Sequence, residues 1–251
     1  MNTLKTRAIV IKTQDYKEND KIVWLFTENL GKISCLARGA KKSKSKLFTI
    51  TNQFCFGNYV LYKGKSFYNI NEGEIIDSYY ELLDNFDSLT SATYLSELID
   101  ITVLEEEKNY NLFKLYISCL YIIKNNAIDL EILLRYFEVQ LLRYSGYSLN
   151  LDKCTNCGDK INSSNKFDLS LLGGLCNKCY KKGSIDISFE SFNILKLLNS
   201  WEILKLSRIT VSKQGKDELY KILSNAIYEQ FGRKPKSLEM YNIFKEEIKN
   251  G

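Results

Sequence analysis

Cys154-Thr-Asn-Cys157 and, eighteen residues further on, Cys176-Asn-Lys-Cys179 organise the reading of this chain. Two CxxC pairs at this separation are the sequence form of a tetrahedral zinc site. Each pair lets two thiolates face one ion from a tight turn. Gly158 follows the first pair and suits such a turn, because glycine tolerates positive φ. The chain contains no histidine, so a site here is built from cysteine alone. Four thiolates leave zinc no open position, which makes the ion structural and unable to activate water. Cys154, Cys157, Cys176 and Cys179 are therefore the candidate ligands of one structural Zn2+. Two disulfides or four free thiols are the alternatives.

Working outward, the 251-residue chain has room for two modest domains or one large one. Its 45% hydrophobic content is that of a globular protein. No N-terminal apolar stretch reads as a secretory signal, and no apolar run approaches the ~20 residues that span a bilayer. The expectation is a soluble, cytoplasmic protein with no membrane partner, in a compartment where thiols bind metal rather than pair. Cys35, Cys55 and Cys119 lie in apolar surroundings and read as buried packing residues. The net charge of +5 is uneven: +6 over residues 1–80, −6 over 81–150 and +5 over 151–251. Basic ends point to a polyanion, and the acidic middle to a different partner.

Residues 5–77 read as short strands. β-Branched and aromatic residues alternate, and Gly/Asn clusters punctuate the runs. Five strands in this length suit a small OB-type barrel, although an SH3-like barrel or small sandwich gives much the same string. From Ser88 the period becomes helical. Leu89, Ala92, Leu95 and Ile99 share one face, a second helix runs over about 112–124, and Leu130, Leu133, Leu134, Phe137, Leu141 and Tyr144 form a third stripe ending near Gly146. Further helices are expected near 189–199 and 216–231. The expected fold is α+β: a barrel domain over 1–80, then a helical domain over 81–251 with the cysteine module inserted at about 152–182. No linker composition separates the two, so close packing is expected.

No GxxxxGK[ST] phosphate loop and no GxGxxG is present, and the commonest general base is missing with histidine. Glu105-Glu106-Glu107 reads as a solvated helix end. The chain is expected not to be an enzyme. The positive signal is Arg38-Gly-Ala-Lys41-Lys42-Ser-Lys44-Ser-Lys46, five cations in nine residues with no acid. On a flexible rim loop such cations follow a phosphate backbone without reading sequence; an ordinary solvated loop is the alternative. Lys63 and Lys65 sit beside the rings of Tyr62, Phe67 and Tyr68, on which bases can stack; the alternative is that Tyr62 and Phe67 fill the barrel. Arg233-Lys234-Pro-Lys236 closes the last helix, where cations also suit the helix dipole. Arg135 and Arg143 lie on the third helix. Arg135, four residues from Glu131, reads as half of a surface ion pair, or else as a contact for an acidic, apolar-tipped peptide.

Several stretches together carry a resemblance: Thr6-Arg-Ala-Ile-Val-Ile, Leu25-Phe-Thr-Glu-Asn-Leu-Gly, Leu36-Ala-Arg-Gly-Ala-Lys-Lys-Ser-Lys-Ser, Phe137-Glu-Val-Gln-Leu-Leu-Arg-Tyr-Ser-Gly-Tyr running into Leu151-Asp-Lys-Cys-Thr-Asn-Cys-Gly, and Phe231-Gly-Arg-Lys-Pro-Lys-Ser-Leu. The chain resembles the RecO family of bacterial recombination mediators over nearly its whole length, most specifically over 137–158. Ser148 stands where that family is expected to carry proline. The resemblance implies an OB-fold and binding of single- and double-stranded DNA. It also implies annealing of complementary strands without ATP, in DNA repair on the nucleoid. Implied partners are RecR, the acidic tail of single-stranded DNA-binding protein and, indirectly, RecA. It carries DNA contact to Arg38, Lys41, Lys42, Lys44 and Lys46, and zinc ligation to the four cysteines. The tail-binding role goes to the helix of Arg135 and Arg143. A protein–protein adaptor with an incidental basic loop, or a DNA-modifying enzyme, are the rival classes.

Overall fold

The computed structural model describes residues 3–179 and 182–237. These fall into two compact units, one of residues up to 124 together with 235–237, the other of 125–234. The first begins with five strands: β1 (Thr3–Tyr16), β2 (Asp20–Thr27), β3 (Gly31–Ala37), β4 (Phe56–Lys63) and β5 (Tyr68–Asp77). They close into a barrel in the order β1-β2-β3-β5-β4, the OB connectivity. Fourteen residues make β1 long enough to serve two neighbours. It pairs with β4 over Thr3–Ile9 and with β2 from Ala8 to Tyr16, and a bulge between Val10 and Lys12 turns it from one to the other. Closure comes from a short parallel contact, Cys35↔Tyr68 and Leu36↔Asn69.

Inside the barrel, Ala8, Val10, Val23, Leu25, Ile33, Cys35, Tyr59, Leu61, Tyr68 and Ile70 form one cluster. Tyr59 and Tyr68 supply the aromatic bulk there, whereas Tyr62 and Phe67, expected to fill the barrel, are only half-buried. Ile9, Ile11 and Phe26 point outward yet are also buried. Their cover is helical: α1 (Phe86–Thr102) and α2 (Tyr110–Lys124) belong to the same unit, and the Phe26 ring meets Phe113 at 5.6 Å and Tyr116 at 6.4 Å. Asn85 caps α1 through Ser88 N–H. Lys124, at the end of α2, pairs with Asp77 at 3.0 Å, which ties the helix end to the last barrel residue.

In the second unit α3 (Leu130–Tyr144) packs against α4 (Phe189–Ser200) and α5 (Lys213–Phe231). Leu133, Phe137 and Leu141 are fully buried on α3, and Gln140 donates to the Leu198 carbonyl at 2.8 Å. Asp129, Ser188 and Ser212 cap the three helices, and Gly232 ends α5 in the left-handed conformation. Between α3 and α4 lies the cysteine module. It contains a three-stranded sheet of β6 (Lys166–Asp168), β7 (Gly173–Gly174) and β8 (Ile185–Asp186), which strands of two or three residues left invisible to periodicity. A Cβ on Gly174 would meet the Phe192 ring of α4 at 2.7 Å, so the glycine lets the module lie directly on that helix.

Candidate functional site

The basic segment after β3 is a run of turns rather than an open flexible loop, which corrects the expectation from its Gly/Ser content. Lys42 N–H donates to Gly39 O, Ser45 N–H to Lys42 O, Phe48 N–H to Ser45 O and Cys55 N–H to Asn52 O. Ala40, Leu47, Ile50 and Cys55 point into the barrel core and anchor it as a lid over one end. Tyr59, from inside the barrel, donates its hydroxyl to Ile50 O at 2.8 Å and to Cys55 O at 3.1 Å. Burying the apolar members leaves the cations between them outside. Arg38, Lys42, Lys44 and Lys46 are exposed. Among the described residues none of these four has a carboxylate within ion-pair distance. Lys41 differs: it pairs with Asp15 at 2.8 Å, and that contact holds the Asp15 carboxyl below its ordinary range.

Lys63 and Lys65 flank the β4–β5 turn, closed by Gly64 N–H donating to Phe67 O at 3.0 Å. Because Cys35 pairs with Tyr68 in parallel, this turn and the lid leave opposite ends of the β3–β5 contact. The two basic segments are thus separate patches. Lys65 is exposed and without an ion pair among the described residues. Lys63 is paired with Glu106 at 2.8 Å. The acidic run 105–107 is consequently not a helix end: α1 stops at Thr102, and the run crosses to the barrel, where Glu106 N–H donates to Lys32 O at 2.8 Å.

A trough of about 630 Å³ on the outside of β1, β4 and β5 had no sequence signal. It sets Lys5, Arg7 and Lys46 against Glu28, Glu72 and Glu74, and Arg7 is held by Glu28 through both its Nε and its Nη2. Balanced charge makes it a polar recess, not an anion track.

The four cysteines come together. All four sulfurs lie within 4.8 Å of one another, with Cys157 and Cys176 at 3.7 Å. Bonds of about 2.3 Å to a tetrahedral zinc imply sulfurs about 3.8 Å apart, whereas a disulfide needs about 2.05 Å. Gly158, at φ 79°, donates to Cys154 O at 2.9 Å and closes the first knuckle; Cys179 N–H donates to Cys176 O at 3.1 Å in the second. Two donors already face the sulfurs: Cys176 N–H to Cys154 Sγ and Asn156 Nδ2 to Cys179 Sγ, both 3.3 Å. Burial opposes ionisation of Cys154, but the N–H groups of Cys157, Cys176 and Asn156 outweigh it and bring the thiol to about 6. The Asp159 N–H favours the Cys157 thiolate, yet burial and the sulfurs of Cys154, Cys179 and Cys176 push it up to about 12. One thiolate forms readily; four together need a cation. The quartet is spaced so that it could hold one metal ion. The other thiols are inert by burial, which raises Cys55 to about 11 and Cys35 and Cys119 further.

Arg135 is 5% exposed, so the expected surface pair with Glu131 is corrected. Its guanidinium reaches Glu138 at 2.8 Å and lies 5.1 Å over the Tyr220 ring, while Glu131 pairs with Lys216. Arg143, two turns on, is exposed. Lys234 sits 5.1 Å over Tyr228, beside the end of α5.

Fold and site define an OB-barrel protein whose lid is studded with cations and whose helical part carries a cluster of four cysteines that could hold a metal ion. Comparison with known proteins agrees. The family model described as Recombination protein O N terminal matches residues 1–79, and that of Recombination protein O C terminal matches 83–239. The chain is similar to DNA repair protein RecO of Clostridium acetobutylicum, 48% identical over 98% of this chain and 100% of the relative. It is similar to the proteins of that name from Clostridium novyi, 48% identical over 98% and 96%, and Clostridium perfringens, 46% identical over 98% and 100%. The chain belongs to the RecO family of DNA repair proteins. Among the described residues no helix is long and apolar enough to cross a membrane.

Proposed function

We propose that the protein is a non-enzymatic mediator of DNA repair in the cytoplasm, associated with the nucleoid. It binds single- and double-stranded DNA and brings complementary strands together without ATP. The observation that carries this is a set of five exposed cations, Arg38, Lys42, Lys44, Lys46 and Lys65, without ion pairs among the described residues, in the lid and the β4–β5 turn of an OB barrel. Two strands repel each other through their phosphates. Lysine and arginine that displace counterions screen that repulsion, and the gain is independent of base sequence. Lys41 and Lys63 join them when their carboxylate partners are exchanged for phosphate. The barrel over 1–80 is the DNA-binding part in this reading, and 81–251 the partner-binding part. A structural Zn2+ on Cys154, Cys157, Cys176 and Cys179 holds the module in shape and takes no chemical step. Family membership supports RecR and the tail of single-stranded DNA-binding protein as partners, and RecA as the protein loaded in consequence. Arg143, exposed near the end of α3, is the better placed of the two candidate contacts; Arg135 braces the helix from within.

The test is strand annealing by the purified protein without nucleotide. Wild type should accelerate it, and Lys41, Lys42, Lys44 and Lys46 changed together to Ala should weaken binding to all sequences alike and abolish the acceleration. Unchanged binding rules the lid out; a strict need for ATP rules the mechanism out.

A further inference from the structure

After α1 the chain runs as an acidic strap, residues 104–107, along the start of β3. Glu105 forms a parallel bridge with Lys32, and its carboxylate accepts from Ser34 Oγ. Lys32 in turn reaches back to the Asp100 carbonyl. The strap lies so close that a Cβ on Gly31 would fall 2.1 Å from Glu107 O. Gly31, at φ 72°, therefore serves both the β2–β3 turn and the close approach of the strap. Glu106 is held at φ 59°, a conformation unfavourable for a residue with a side chain. Such strain persists only where its surroundings enforce it, and it often marks function. Here it aims the Glu106 carboxylate at the β4–β5 turn. Lys63 Nζ donates to its two oxygens at 2.8 and 3.2 Å, and Tyr68 OH donates to one at 2.9 Å.

An ammonium and a phenol hydroxyl converging on an anionic oxygen pair is also the donor set for a backbone phosphate. Lys63 lies at the edge of a turn that flanks the OB face. The pair is in water, with side chains 62% and 51% exposed, so its partner can be exchanged. We propose that Glu106 is a built-in competitor for nucleic acid: its carboxylate occupies, on Lys63 and Tyr68, the position of a DNA phosphate, and DNA binding displaces the strap. The inference rests on the DNA-binding reading above and adds a threshold to it. Weak, isolated phosphates do not dislodge a tethered carboxylate, whereas a strand already held by the lid does.

Glu106→Gln should tighten single-stranded DNA by roughly two- to fivefold, the range of an exposed ion pair, with the salt slope unchanged, because Lys63 meets one phosphate in either complex. Glu106→Asn tests the same charge with a residue that accepts the left-handed backbone. Glu107→Gln, the same charge change on a side chain outside the pair, should leave affinity at the wild-type value, and the gain should vanish in Lys63→Ala. A pair that only fastens the strap would lower the melting temperature in Glu106→Gln and leave affinity at the Glu107→Gln value. That result, or a gain that survives Lys63→Ala, overturns the inference. The lid variant separates the two claims: if it loses DNA while Glu106→Gln matches wild type, only the competitor fails.

Discussion

Cys154 and Tyr59 show how single side chains fix this molecule. Cys154 is the buried member of its quartet and accepts a backbone N–H at 3.3 Å, a donor that favours thiolate. The protein purified without chelator should hold one zinc ion per chain, and Cys157→Ser should lose it and lower the melting temperature, since a structural site contributes its binding energy to folding. Metal analysis with thermal melting checks both. Tyr59 is fully buried, and its hydroxyl serves two lid carbonyls. Tyr59→Phe leaves both without that donor and should cost about 1–2 kcal/mol, read as a lower urea midpoint with unchanged slope. The convergence of the four cysteines was legible because their spacing alone implies it. Tyr59 was not, because a strand tyrosine gives no sign of which carbonyls it will meet. Arg135 was misread for the same reason: a charge on a helix looks solvent-facing until the neighbouring helix supplies Tyr220 above it and Glu138 takes its guanidinium.

The elements follow local rules that the sequence displays openly. Five strands and five helices stand close to where alternation, helical stripes and capping residues place them. Besides β6–β8, two features of the barrel unit escaped. The lid has the Gly, Ser and Lys content of a flexible loop, and Ala40, Leu47, Ile50 and Cys55, spaced with no regular period, pin it to the core. The outward faces of β1 and β2 are apolar as well, since α1 and α2 cover them, so Ile9, Ile11 and Phe26 blur the expected in–out pattern. Helix junctions carry their own prediction. Glu218 on α5 accepts Ser188 N–H, at the N-cap of α4, at 2.9 Å. Partial burial opposes its ionisation, but the Ser188 hydroxyl and N–H with Ser191 and Gln214 outweigh this and lower its carboxyl from 4.5 to about 2. A depressed carboxyl stabilises the fold above its unfolded value and loses that contribution as pH falls between those two values. Glu218→Gln should therefore cost about 1 kcal/mol at neutral pH, discounted for partial exposure, and the difference from wild type should disappear near pH 2. Denaturant melts at several pH values give this directly.

For the whole molecule the uneven charge is the feature that reaches function. Positive residues dominate the barrel, and the fold decides which remain available by pairing Lys41 and Lys63 and leaving Arg38, Lys42, Lys44, Lys46 and Lys65 in solvent. Composition announced the polyanion; only the packed structure sorts occupied cations from open ones, because ion pairs join residues far apart in sequence. The most direct measurement is the affinity for an unstructured single strand over a series of salt concentrations. Seven phosphates neutralised, by the five open cations together with Lys41 and Lys63, should give a slope of log K against log salt near −4.9, at about 0.7 per contact, and the same slope for strands of different base sequence. Affinity that does not change with salt, or that follows base sequence instead, would contradict the account.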